Sequence, residues 1–226
     1  MIKQKMIKLT LVITMTVVIW GSYIFTENAA GFPGESSRIM FFHVPQAWIA
    51  FLAFLLSMLF SIRYLVKGDV HNDMLAKTSA ELGFLFCLLA MITGSIFAHL
   101  TWGSFWNWDP RETSILILLM IYGAYFALRS AIVENDLKRR FSSVYSILAF
   151  ATVPFLIFIM PRITMSLHPA ETMNPLNPQL DLKFTIVFIL SLVAYTGVFA
   201  WMLSLKFRCL KLEEKLNRID MSWDLD

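Results

Sequence analysis

The sequence predicts an all-α integral membrane protein, a bundle of six transmembrane helices, and three observations carry the prediction. Only 15% of the 226 residues are charged and 58% are hydrophobic, against about 25% charged in an ordinary soluble domain. The charges fall in clusters between long uncharged runs. Six of those runs, at about 7–26, 45–65, 82–101, 114–133, 143–160 and 184–205, come close to the roughly 20 apolar residues that a helix needs to cross a bilayer. In hydrocarbon every backbone N–H and C=O must find its partner within the protein, which selects helices over irregular chain. No intervening stretch is long enough for a separate soluble domain, so residues 1–226 are expected to form one polytopic membrane domain.

Each element has its own local reason. The first run follows Lys3, Lys5 and Lys8 and precedes Ala29-Ala30, the outline of a cleaved signal peptide. Its apolar core exceeds the about 7–15 residues of a signal peptide, so it is expected to be retained as a span. Gly31-Phe-Pro-Gly34 marks a turn in the loop after it. Pro45 suits the first turn of the second span, where its missing N–H has no partner to lose. The stretch from Arg63 to Glu81 holds Lys67-Gly-Asp-Val-His-Asn-Asp73 and reads as a solvated turn, with His71 inside it. Asp109, Pro110 and Glu112 give the fourth span an N-cap, a first-position proline and a third-position acid, a start similar to a capping box. Both acids also complement the positive end of the helix dipole. Glu134–Arg140 is a charged turn, and Pro154 is expected to kink the fifth span. Cys87 lies within the third span and Cys209 just beyond the sixth, so neither a disulfide nor a cysteine-ligated metal is expected.

Orientation follows from the basic residues, since short loops rich in Lys and Arg stay on the cytoplasmic side. Alternate loops share a side, and 15 of the 19 Lys and Arg residues then fall on the side that carries both termini. The expected topology is therefore N-in and C-in. Arg38, Arg111, Arg162 and Lys183 are left outside. The net charge of +3 is a topology signal and offers no pattern for nucleic acid.

The outward loop at about 102–113, between the third and fourth spans, is unlike its neighbours. Trp102-Gly-Ser-Phe-Trp-Asn-Trp-Asp-Pro-Arg-Glu-Thr113 packs Trp102, Phe105, Trp106 and Trp108 into seven residues, beside Gly103, Asp109 and Arg111. An interfacial aromatic belt would scatter its rings. A cluster with a glycine for space suits a flat aromatic ligand with acidic arms. Asp109 serves the helix cap first. Arg111 is not used by the cap and is a candidate to meet an anion. Three histidines fall on the same side: His43 in Phe42-His-Val-Pro45, His99 at the end of the third span, and His168 in Ser166-Leu-His-Pro169. A lone histidine there is more often bonded to a loop carbonyl than to a metal. His43 and His168 on separate segments, with an aromatic platform between them, match a haem held by an imidazole on each side. His99 remains a rival ligand.

The twelve-residue stretch resembles the WWD signature of the haem-handling membrane proteins of cytochrome c biogenesis, the family of CcmC, CcmF and CcsA. His43-Val-Pro45 before a span and Leu167-His168 in the last outer loop resemble the flanking histidines of the CcmC type, as do the length and six-span layout. The resemblance implies a protein with no catalytic turnover of its own, in the bacterial inner membrane. It would hold haem b at the periplasmic face, with His43 and His168 as the axial ligands of the haem iron. Trp102, Gly103, Phe105, Trp106, Trp108, Asp109 and Arg111 would form the platform. Its implied partners are a periplasmic haem chaperone of the CcmE type, the ABC transporter subunits CcmA and CcmB, CcmD, and the lipid bilayer. The segment from Phe105 to Thr113 is similar also to system II cytochrome c synthases of the CcsA type. That likeness implies the alternative of a membrane subunit that attaches haem to apocytochrome c.

The topology is testable by labelling. In a variant without Cys87 and Cys209, Ser104→Cys is expected to react with an impermeant thiol reagent added from outside. Asp136→Cys is expected to stay protected until the cells are opened, and the opposite pattern inverts the protein.

Overall fold

The computed structural model describes residues 2–27, 34–168 and 181–223. Most of the Gly31-Phe-Pro-Gly34 turn, Ala29-Ala30 and the last loop beyond His168 lie outside these residues. The elements are α1 (Ile2–Trp20), continued by a π-helical turn (Gly21–Phe25); a 3-10 turn (Gly34–Ile39) leading into α2 (Met40–Lys67); α3 (Val70–Trp102); α4 (Pro110–Ala131); α5 (Asn135–Pro154), continued by a second π-helical turn (Phe155–Ile159) and the short α6 (Met160–Ile163); and α7 (Leu182–Trp223). No strand occurs among the described residues. Six helical stretches are long and apolar enough to cross a membrane: Lys5–Phe25, Glu35–Lys67, Val70–Trp102, Pro110–Ala131, Asn135–Ile163 and Leu182–Leu216. The expected all-α membrane bundle of six spans is what the chain forms.

The helices run past the apolar segments that predict them, and this corrects two expectations. The stretch from Arg63 to Glu81 is not a solvated loop. Gly68 closes α2 in the left-handed region (φ 69°), and Asp69 caps α3 by accepting the His71 amide at 3.0 Å. Only these two residues turn the chain, and His71 stands in the first turn of α3. Beyond the hydrocarbon a helix needs polar partners and no apolar run, and α3 has them. Asp73 is buried in a bidentate pair with Arg129 of α4 (2.8 and 2.5 Å), and Glu81 meets Lys206 of α7 at 2.6 Å. The second correction concerns Pro45, which lies inside α2 because the helix begins at Met40.

α2 packs along α3 and also meets α5 and α7, while α4 bridges α3 and α5, and α1 rests on α7. Small residues let the backbones approach, as expected where lipid supplies no hydrophobic drive between helices. A Cβ on Gly83 of α3 would stand 2.6 Å from the Phe54 ring of α2, and that ring stacks at 3.6 Å on Tyr122 of α4. Ser57 and Ser146 share a hydrogen bond of 2.9 Å across α2 and α5. Tyr145 Oη donates to the Ile121 carbonyl at 3.0 Å across α4 and α5. α7 is the longest element, at 42 residues. Near its start Phe184 packs at 4.4 Å on Phe41, two residues before His43. Leu9, Val12, Ile92, Met120, Leu148, Ile189 and Val193 point outward, as a bilayer requires.

Candidate functional site

The loop between α3 and α4 is held by its own polar groups. Gly103 takes a positive φ of 81° and donates its amide to the His99 carbonyl at 3.0 Å, which ends α3 with a left-handed cap. Ser104 Oγ donates to the Trp106 carbonyl at 2.9 Å, and the Asn107 side chain donates back to the Ser104 carbonyl at 3.1 Å. Glu112 accepts the Asn107 amide at 2.8 Å. The acid of the expected capping box thus serves a residue two positions before the cap. Trp108 is the only non-glycine residue with positive φ (55°) among those described.

This backbone divides the aromatic cluster. Trp102 meets His168 edge-on, with ring centroids 4.8 Å apart, and Phe97 at 5.5 Å. Phe105 stacks face to face on His99 at 4.1 Å. Trp106 turns inward onto a cavity, and Trp108 leans on it from outside, 75% exposed.

Asp109 is the hub of the site. It caps α4 by accepting the Arg111 amide at 2.9 Å, as the sequence predicts. It also accepts hydrogen bonds from Ser166 Oγ (2.9 Å), the Leu167 amide (2.7 Å) and His168 Nδ1 (3.0 Å). Burial by itself would raise the pKa of its carboxyl. The bonds from His168 and from the Arg111 and Leu167 amides outweigh that and hold it well below the usual carboxylate range. A carboxylate can only accept, so Nδ1 of His168 carries the hydrogen and Nε2 keeps its lone pair.

His43 reaches the same condition by a different route. Its Nδ1 lies 3.0 Å from Thr93 Oγ1 on α3. The Thr93 hydroxyl hydrogen is already given to the Leu89 carbonyl at 2.8 Å, so the oxygen accepts from the imidazole. Nε2 of His43 is again the nitrogen with a lone pair to offer. A Cβ on Gly94 would stand 3.0 Å from His43 Cε1. The space that the sequence suggests at Gly103 is therefore found at Gly94, further down α3.

His43 and His168 line one cavity between α2, α3, α4 and the turns after Pro154. Its floor is apolar, with Val44, Ala47, Ala90, Ile115 and Ile157. Its upper wall adds Trp106, Arg111, Glu112 and the buried Ser114. Of the candidate residues in the sequence, His43, His168, Trp106 and Arg111 meet on this cavity. Trp102 and Asp109 stand behind His168. Gly103, Phe105, Trp108 and His99 lie off the cavity wall. Thr93, Gly94 and Ser114 belong to the site without being marked by any motif. A helical spacing of small residues, Ala90 and Gly94 on α3 and Ala47 four after His43 on α2, is the signal that points to them.

The fold and this site define a polytopic helical membrane protein with a two-histidine cavity beneath an aromatic loop. The profile of the Heme exporter protein C (CcmC) family matches residues 1–222, and the chain belongs to that family. It is 31% identical over 166 residues to Heme exporter protein C of Bradyrhizobium diazoefficiens, covering 74% of this chain and 63% of that protein. With the protein of the same name from Rhodobacter capsulatus it shares 36% over 119 residues, 53% of this chain and 48% of the other. With that of Haemophilus influenzae it shares 27% over 214 residues, 93% and 85% of the two chains. In the first two of these the matched part thus spans about half to two thirds of the relative's length.

Two substitutions separate the cavity from its surroundings. Trp106→Ala is expected to lower bound haem in the purified protein more than Trp106→Phe, since an aromatic contact adds about 0.5–1.5 kcal/mol beyond its area. Trp108→Ala is expected to retain more haem than Trp106→Ala. Gly94→Ala would bring a Cβ to 3.0 Å from His43 Cε1 and is expected to reduce haem content by displacing the His43 ring.

Proposed function

We propose that this protein holds haem b between His43 and His168 at the periplasmic face of the bacterial inner membrane, and delivers it to a haem chaperone of the CcmE type for c-type cytochrome biogenesis. Membership of the haem exporter family supports haem handling in cytochrome c maturation and a delivery role in place of catalysis. The observation that carries the reading is that two imidazoles from separate segments, each with Nδ1 engaged and Nε2 bearing a lone pair, line one apolar cavity. A porphyrin leaves its iron two axial positions, and neutral imidazole nitrogen suits them. The apolar floor would take the ring body, with about 25 cal/mol gained for each Å² of apolar surface removed from water. Arg111 on the upper wall offers a planar donor set for a carboxylate arm, and Trp106 offers a face for the ring. The bound ligand is cargo, so the site must also release it. The acceptor at the cavity mouth, and CcmA, CcmB and CcmD beside the bundle, belong to this proposal.

An absorbance spectrum of the detergent-purified protein tests it, and the expected result is a low-spin haem with two imidazole ligands. His43→Gly and His168→Gly are each expected to lose haem and to regain part of it with added imidazole, which fills the vacated coordination position. His99→Gly is expected to change little, because that ring is stacked on Phe105 away from the cavity. Rescue at His99 with indifference at either of the other two would move the site toward the end of α3.

A further inference from the structure

We infer that the two axial positions are unequal, with His168 the anchor of the iron and His43 the ligand that is exchanged, because Asp109 acts as a positioning residue for His168 alone. The inference rests on the haem-binding reading above and adds an order to it. The two histidines differ in what their Nδ1–H groups meet. His168 donates to the carboxylate of Asp109 at 3.0 Å, and that side chain is fully buried. His43 donates to a neutral hydroxyl at 3.0 Å, and that hydroxyl is itself tied to the Leu89 carbonyl. Hydrogen bonds to an ionised partner are roughly twice as strong as neutral ones. A carboxylate behind an imidazole also fixes its ring and raises the basicity of its other nitrogen toward a metal. Nε2 of His168 is therefore the stronger donor and favours ferric iron more.

The mounting of the two rings agrees with this difference. Ser166 Oγ and the Leu167 amide also bond Asp109, so three consecutive residues hold the His168 backbone and side chain to the cap of α4. The His43 ring is steadied by uncharged groups of α3, Thr93 Oγ1 foremost, and Gly94 opposite leaves that ring its space. An acceptor that brings its own ligand to the iron meets less resistance at the His43 position. The cargo can then stay attached through His168 until the new bond is made.

The test compares full-length protein carrying Asp109→Asn with Thr93→Val, and His43→Gly with His168→Gly, all loaded with haem in detergent. Asparagine is as good an N-cap as aspartate, so Asp109→Asn can keep the start of α4 while it removes the charge and replaces one of the two accepting oxygens by a donor. It is expected to move the haem midpoint potential to more positive values and to weaken haem affinity about tenfold, the lower end for a lost outer-shell partner. Thr93→Val is expected to move both by clearly less. His43→Gly, which leaves His168, is expected to retain more haem without imidazole than His168→Gly. Equal potentials in Asp109→Asn and Thr93→Val, or equal or reversed retention in the two glycine variants, would overturn the ordering. A wild-type spectrum without low-spin haem would instead remove the haem-binding reading itself, before any variant is compared.

Discussion

A buried carboxylate with several donors arranged around it is the constraint on which the rest of this site depends. Asp109 begins as an ordinary helix cap, which Asn, Ser or Thr at that position could also supply. Its remaining lone pairs are what join the aromatic loop to the segment after α6, since they accept from Ser166, Leu167 and His168. An isolated carboxylate in such surroundings would be costly. Here the helix N-terminus, two backbone amides and an imidazole share its charge, so one ionised group fixes the tautomer of a histidine 59 residues away.

Around that hub the bundle solves a packing problem. Helices in a membrane gain most by close contact, and a well-packed bundle leaves little open space. Room is made with small side chains on two helices, Ala47 on α2 and Ala90 and Gly94 on α3, and with a widened turn after Pro154 that carries Leu156 and Ile157 on the fourth wall. Proline at this position predicts a kink in the fifth span. The chain answers with a five-residue π-helical turn directly after Pro154, a common way for a helix to absorb one residue too many near a functional site. The same cavity is apolar below and polar at its rim. That gradient suits a ligand with an apolar body and charged arms better than either a lipid tail or a hydrophilic solute.

How much of this can be read from the sequence depends on the range of the forces involved. The six spans are legible because apolar length is a property of contiguous residues. The cap at Asp109 is legible because its donor lies two residues away. The true start of α3 is not, since Asp73 and Glu81 look solvated until Arg129 of α4 and Lys206 of α7 are brought beside them. Gly94 and Thr93 escape notice for a similar reason. A glycine and a threonine in an apolar run are unremarkable alone, and they matter only because His43, about 50 residues earlier, folds against them. The tryptophans mark the right loop, yet sequence spacing cannot say which ring turns in. That depends on the left-handed residues at 103 and 108, which send Trp106 to the cavity and Trp108 to the surface.

The length of α7 has a mechanical meaning. Its 42 residues, at about 1.5 Å each, make a rod of about 63 Å, roughly twice the thickness of the hydrocarbon it crosses. One end rests through Phe184 on Phe41, two residues from His43, and further along Lys206 meets Glu81 of α3 at 2.6 Å. One continuous helix therefore ties the segment beside His43 to the polar pair near the start of α3, at the other end of the bundle.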